Sequence, residues 1–201
     1  WSWEEITEYS EKLKSDHNLD YAFAGIWENG SGYRFLPFLY ANGATILSED
    51  MSEITINTPE DLEAIQLYES WRNDDLVVRT GFTQDTAANM LFVAEQIAFT
   101  FSGSWHCSYM EENMPGNWAV TYMPQKNGNT GSDIGGNGVF GYINTDYPEA
   151  TATWIDYLTT KDNVKLFCEA SNFIPVRQSL IDEGLAYTEF QEEMDAFLDI
   201  V

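Results

Sequence analysis

The sequence is poor in the residues on which many chemistries depend. It has two cysteines, Cys107 and Cys168, and two histidines, His17 and His106, in 201 residues. No CxxC pair or His-rich spacing accompanies them, so no metal centre is expected. The two thiols fit separate buried side chains better than one disulfide, and they leave the redox compartment open. Neither histidine has an evident nucleophile beside it, and no GxSxG run marks a hydrolase elbow. No apolar run reaches the length of a membrane-spanning helix. Cations are scarce: nine Lys and Arg stand against 33 Asp and Glu, for a formal net charge of -24. That balance argues against nucleic acid, whose phosphates need clustered Lys and Arg. It also argues against docking on an anionic membrane through basic residues. A neutral, hydroxyl-rich ligand meets no such electrostatic penalty. The acids themselves read as a solvated exterior.

Aromatics are abundant, with seven Trp, eleven Tyr and twelve Phe. They exceed the needs of a core of this size. The core is the default place for any one of them, and the surplus is expected at a surface that binds something flat and apolar. The length suits one domain or a lobe of a larger one. The abrupt Trp1-Ser2-Trp3 start, with no Met and no signal peptide, predicts further segments in the biological protein.

Ser2 followed by Glu4 and Glu5 starts a helix, with Ile6, Tyr9 and Leu13 at helical spacing. Residues 21–27 read as a strand, and 33–40 as a helix stopped by Asn42-Gly43. Residues 53–57 alternate as a short strand. Thr58-Pro59-Glu60-Asp61 is a capping box that opens a helix with Leu62, Ile65, Tyr68 and Trp71 on its buried face. Residues 83–94 read as a helix with Ala87, Met90, Leu91 and Ala94 inward. Residues 96–101, 118–123 and 139–144 read as strands, and 127–138 as a Gly/Asn-rich loop. From Pro148 onward the pattern is helical. Strands alternating with helices imply an α/β fold with a helix-rich C-terminal third.

Gly136-Asn137-Gly138-Val139-Phe140-Gly141 matches GxGxxG, but the helix that a dinucleotide site requires does not follow it. Gly135 and Gly136 instead suggest a backbone approached closely. Carboxylate pairs such as Glu4/Glu5, Asp74/Asp75 and Glu192/Glu193 lie in polar stretches and read as solvated faces, not as a glycosidase pair. The 133–138 loop lacks the acidic ligands of a calcium site. Trp105 is different. It follows an apparent buried strand after Ser102-Gly103-Ser104, where α/β sheets place ligands. An indole there either stacks on the C–H face of a pyranose or packs inward.

The order of segments resembles the extracellular solute-binding proteins of ABC importers, in the group that includes maltose-binding protein. The matching pieces are Trp3-Glu4-Glu5, Tyr40-Ala41-Asn42-Gly43-Ala44, Asn57-Thr58-Pro59-Glu60, and the run from Phe92 to Phe99 with Ser102-Gly103-Ser104-Trp105. Met123-Pro124, Gly135-Gly136, Thr160-Lys161-Asp162 and Asn172-Phe173-Ile174-Pro175-Val176-Arg177 complete it. Glu95 stands where the family usually has Gly, and Phe99 where it has Met.

The resemblance implies a periplasmic-binding-protein-like (type II) lobe, a mixed sheet flanked by helices, in residues 1–144. Residues 145–201 would be a helical segment that packs on the other lobe, the chain crossing near Gly141 to Asn144. It implies a non-enzymatic receptor, without cofactor or metal, that carries a sugar to permease subunits. Localisation would be extracellular or periplasmic, with membrane attachment only through a lipoprotein anchor outside this chain. Trp105 would stack on sugar, Gly135, Gly136 and Asn137 would line the cleft, and Arg177 would donate to ligand hydroxyls. Trp27 and Tyr33 join them on chain position alone. Two other readings stay open from the residues: a glycoside hydrolase fragment, and an acidic interaction domain with no small ligand.

Overall fold

The structure, a computed structural model, describes residues 1–25, 32–78 and 85–200. Its most legible local signals are two capping boxes. Helix α1 (Trp3–His17) is capped by Ser2, whose hydroxyl accepts from the Glu5 N–H while the Glu5 carboxylate accepts from the Ser2 N–H. Helix α3 (Pro59–Asn73) is capped the same way by Thr58 and Asp61, with Pro59 in its first turn. Between them lie β1 (Phe23–Ala24) and α2 (Gly32–Ala41), which stops at Gly43 with φ +82. After α3 come α4 (Asp85–Val93) and β2 (Phe99–Thr100).

Two compact units emerge. The first comprises Trp1–Ser102, Asn113–Pro115 and Thr121–Asp133. Within it β1 pairs in parallel with β2, Phe23 against Phe99, and Phe23 also bridges in parallel to Val77. Parallel neighbours need crossovers, which here contain α2, α3 and α4. The strand's two faces then serve two cores. Phe23 points to a cluster with Trp3 and Ile6 of α1, Phe38 and Leu39 of α2, and Ala64 and Trp71 of α3. Ala24 points the other way, to Ala88 of α4 and Ile97. Helices therefore cover both faces of the sheet. Much of the aromatic surplus is spent in the first of these cores. Phe23 stacks on Phe99 at 4.7 Å and meets Trp71 edge-on at 5.4 Å, while Phe38 meets Phe101 at 5.3 Å.

Asp61 ties the α3 cap to acid stability. Its Oδ2 accepts from the Asn57 N–H at 2.8 Å, the Thr58 N–H at 2.8 Å and the Thr58 hydroxyl at 2.9 Å. Burial pushes this carboxyl up, but these donors outweigh it and hold its pKa below the ordinary value. A folded pKa below the unfolded one gives stability that is present above the unfolded value, roughly 3.9, and lost as pH falls through the folded value. Asp61→Asn is therefore expected to lower the urea midpoint near neutral pH and to lose less than the parent protein on acidification. Paired urea titrations at about pH 6 and about pH 3 check this.

The second unit comprises Gly103–Glu112, Gly116–Val120 and Ile134–Val201. It holds a 3-10 turn (Ser104–His106), all but the last residue of α5 (Cys107–Asn113), and α6 (Pro148–Leu158), α7 (Lys161–Ser171), α8 (Gln178–Glu183) and α9 (Gln191–Leu198). Its core gathers Cys168, Leu180, Leu185, Tyr187 and Met194. The Tyr187 hydroxyl donates to the Phe173 carbonyl at 2.9 Å. Cys107 and Cys168 are both buried free thiols, as their spacing suggested.

Several local expectations are corrected. Residues 53–57 form no strand; Leu47 and Ile54 make one antiparallel bridge, flanked by Thr55 N–H to Ile46 carbonyl and Ser48 N–H to Glu53 carbonyl bonds, both 3.0 Å. Residues 118–123 and 139–144 are not strands either. Alternating residues form a strand only where a second strand satisfies the backbone, and no ladder partner meets these segments among the described residues. Phe140, Tyr142 and Ile143 stand exposed as a result. The buried face of α3 runs through Asp61, Ala64 and Trp71, leaving Leu62 and Ile65 exposed. In α4 the inward residues are Ala88 and Asn89 rather than Met90. Both helices carry apolar residues on more than one face, so spacing alone does not choose the buried one.

Candidate functional site

Trp105 begins the chain's return into helix. The His106 N–H donates to the Gly103 carbonyl at 3.0 Å, closing the 3-10 turn, and Ser104 within it is buried. The turn lifts the indole outward to 39% relative exposure. The ring lies over Gly103, with the His106 imidazole 6.0 Å away and tilted by 53°. Tyr109 continues the row, 6.2 Å from His106. The choice between an inward and an outward indole thus resolves outward. A half-exposed indole face offers dispersion and C–H contact to an apolar ring face without orphaning a polar group.

Gly135, Gly136 and Asn137 occupy an exposed stretch without regular structure. A Cβ built at either glycine would meet nothing within 4 Å, so neither is required by a neighbour within this chain. Phe140, three residues on, belongs to the 139–144 segment expected as a strand. It is 86% exposed, and its ring folds back onto Gly138, where a Cβ would come within 2.7 Å of it. An aromatic two residues after a glycine is the sequence signal shared with Gly103 and Trp105. Arg177 caps the start of α8 and is exposed; its guanidinium donates to the Thr159 carbonyl that ends α6. Five N–H donors leave it capacity for a ligand. Trp27 lies outside the described residues, and Tyr33 sits near the start of α2.

Two cavities involve none of these residues. One, of about 570 Å³, lies in the first unit and is lined by Trp3, Glu4, Glu8, Glu11, Glu63 and Lys126, among others. Lys126 is spoken for: it pairs with Glu63 at 3.1 Å and Glu4 at 3.4 Å, above the Trp3 ring at 5.3 Å. The hydrogen bond to Glu63 is the main cause of its raised pKa. The other cavity, of about 470 Å³, lies in the second unit and is lined by Glu111, Phe190 and neighbouring residues of α9. The Trp118 indole N–H donates to Glu111 at 2.8 Å and the Gly116 N–H at 3.1 Å, which holds this carboxyl below its ordinary range. Trp118 meets Phe190 edge-on at 5.6 Å. Sequence reasoning did not find this cluster, because its members are scattered over some eighty positions and no periodicity joins them.

The family of bacterial extracellular solute-binding proteins matches residues 1–192, and the chain belongs to that family. No curated protein matches it. Among solved structures it resembles the sugar-binding protein MalE of the phytopathogen Xanthomonas citri, at 19% identity and a TM-score of 0.72, covering 99% of this chain and 51% of that one. It resembles maltose-bound MalE3 of T. maritima at 17% identity and a TM-score of 0.72, covering 99% and 53%. It also resembles the ABC substrate-binding protein Lmo0181 of Listeria monocytogenes in complex with cycloalternan, at 20% identity and a TM-score of 0.62, covering 100% and 48%. These likenesses establish the fold, an α/β lobe of the type II periplasmic-binding-protein class. The chain spans about half the length of the structures it matches.

Proposed function

We propose that this chain forms part of the substrate-binding component of an ABC importer. The intact receptor captures a mono- or oligosaccharide outside the membrane, in an extracellular or periplasmic setting, and delivers it to permease subunits. A lipoprotein anchor outside this chain holds it at the membrane. The observation that carries the reading is the Trp105 indole, 39% exposed and resting on Gly103. Gly135, Gly136 and Asn137 line the same cleft in the intact protein, Arg177 donates to ligand hydroxyls, and Trp27 and Tyr33 add contacts. The complexes with maltose and cycloalternan formed by its structural relatives favour a carbohydrate ligand.

In this reading residues 1–144 are the ligand-binding lobe and 145–201 pack on the other lobe of the longer protein. Helix α6 supports the second part, because none of its residues is buried and Trp154 and Tyr157 stack on each other while more than half exposed. The function is binding rather than catalysis, and it needs no cofactor or metal. Glycoside hydrolysis requires a carboxyl held protonated by a raised pKa. Among the described residues, every carboxylate whose pKa clearly departs from its ordinary value is lowered.

The test is calorimetric titration of the full-length receptor with maltose and cycloalternan, extended to a broad sugar panel. Trp105→Ala is expected to weaken the bound sugar by at least about 30-fold, the effect of losing an interface anchor worth roughly 2 kcal/mol. The thermal midpoint should hardly move, because the side chain is only half-buried. A receptor that binds no sugar across the panel, or one that turns over chromogenic glycosides, would overturn the proposal.

A further inference from the structure

We propose that Gly103 is a positioning residue for Trp105: the indole rests on the bare Cα of Gly103, and that contact sets where the ring stands for its ligand. This rests on the reading of Trp105 as the sugar-stacking residue. A Cβ built at Gly103 would lie 2.3 Å from Cη2 and Cζ3 of the indole and 2.7 Å from Cε3. All three atoms belong to the six-membered ring, and real Cβ atoms essentially never approach closer than 3.0 Å. The backbone gives no other reason for glycine here. At φ -139 and ψ 171, Gly103 is in extended geometry that any residue adopts. The ring, not the chain, requires it.

The surroundings leave the indole as the part that must yield. The Gly103 carbonyl is held by the His106 N–H at 3.0 Å, and the Ser104 carbonyl accepts from the Cys107 N–H. Ser104 between them is buried at 6% exposure. A methyl group at position 103 would therefore turn the indole out of its rotamer before it moved the turn. The contact with Gly103 closes the face of the ring turned to it. A ring fixed in advance also loses less conformational freedom on binding than a free one.

The experiment uses the full-length receptor labelled with 5-fluorotryptophan, with the Trp105 resonance assigned by Trp105→Phe. Gly103→Ala is expected to shift the Trp105 fluorine resonance in the absence of ligand and to leave the other tryptophan resonances in place. It should also weaken maltose or cycloalternan binding by about tenfold, which equals roughly 1.4 kcal/mol. In a Trp105→Leu background the same Gly103→Ala change should cost nothing further, since the ring it displaces is gone. An unshifted Trp105 resonance with full affinity in Gly103→Ala would sink this inference while leaving Trp105 as a ligand contact. Shifts spread over many tryptophans, or an equal loss in the Trp105→Leu background, would also overturn it, by showing a general structural role. Full affinity in Trp105→Ala would instead defeat the underlying reading of the site.

Discussion

Trp71→Ala is expected to cost the first unit about 3–5 kcal/mol, the range for truncating a fully buried tryptophan. Trp71 has 0% exposure. Its ring meets Phe23 at 5.4 Å, Phe38 at 5.9 Å and Tyr68 at 6.4 Å, all edge-on, so one truncation strips β1, α2 and its own helix of a shared partner. The indole N–H donates to the Thr7 hydroxyl of α1 at 2.8 Å, and that hydroxyl in turn donates to the Trp3 carbonyl. The variant thus opens a cavity and removes one polar tie between α1 and α3. Against a typical domain stability of about 5–15 kcal/mol, this is a large share. Trp71→Phe keeps most of the volume and loses the hydrogen bond, so its cost should be clearly smaller. Urea midpoints of the three proteins, followed by far-ultraviolet circular dichroism, check the order. Equal midpoints for Trp71→Ala and the parent would refute the assignment of this ring to the core.

Leu180→Ala is the matching test of the second unit, with an expected loss of about 2–5 kcal/mol. Leu180 is fully buried in a core of only five buried hydrophobic residues, with Val164, Phe173, Ile174, Phe197 and Leu198 packed around them. Where in that range the cost falls is set by how far these neighbours collapse into the void. The Tyr187 ring packs in the same cluster, and burial pushes its phenol pKa up to about 12. A cavity at Leu180 that admits water should bring that phenol back toward its ordinary value. Absorbance titration of tyrosinate at alkaline pH then gives a second readout of the same change, independent of the denaturation midpoint.

The helix starts show how far local chemistry reaches. Ser2 with Glu5, and Thr58 with Pro59 and Asp61, form the caps that their spacing predicts, because a cap is closed within four residues and needs nothing distant. The segment 139–144 shows the limit. Its Val, Phe, Tyr and Ile residues suit a strand, yet extended backbone becomes a strand only when another segment completes the ladder. The face of α3 shows a related limit: Trp71 is buried and Tyr68 packs on the core as their spacing predicts, but Leu62 and Ile65 stay exposed, because only the neighbouring elements decide where the covered stripe ends. The candidate sites show the same division: the Glu111, Trp118 and Phe190 cluster is assembled by folding alone, with no sequence pattern to join its members.

By itself the sequence determined the class of the chain, its acidic balance and the helix starts set by caps. The tertiary structure alone decided that β1 lies between Val77 and β2, that Phe23 and Ala24 serve opposite cores, and that the Trp105 indole turns outward over Gly103. Caps and composition depend on neighbours a few residues away or on no neighbour at all. Strand partners, buried faces and the open side of a ring depend on segments that meet only when the chain has folded.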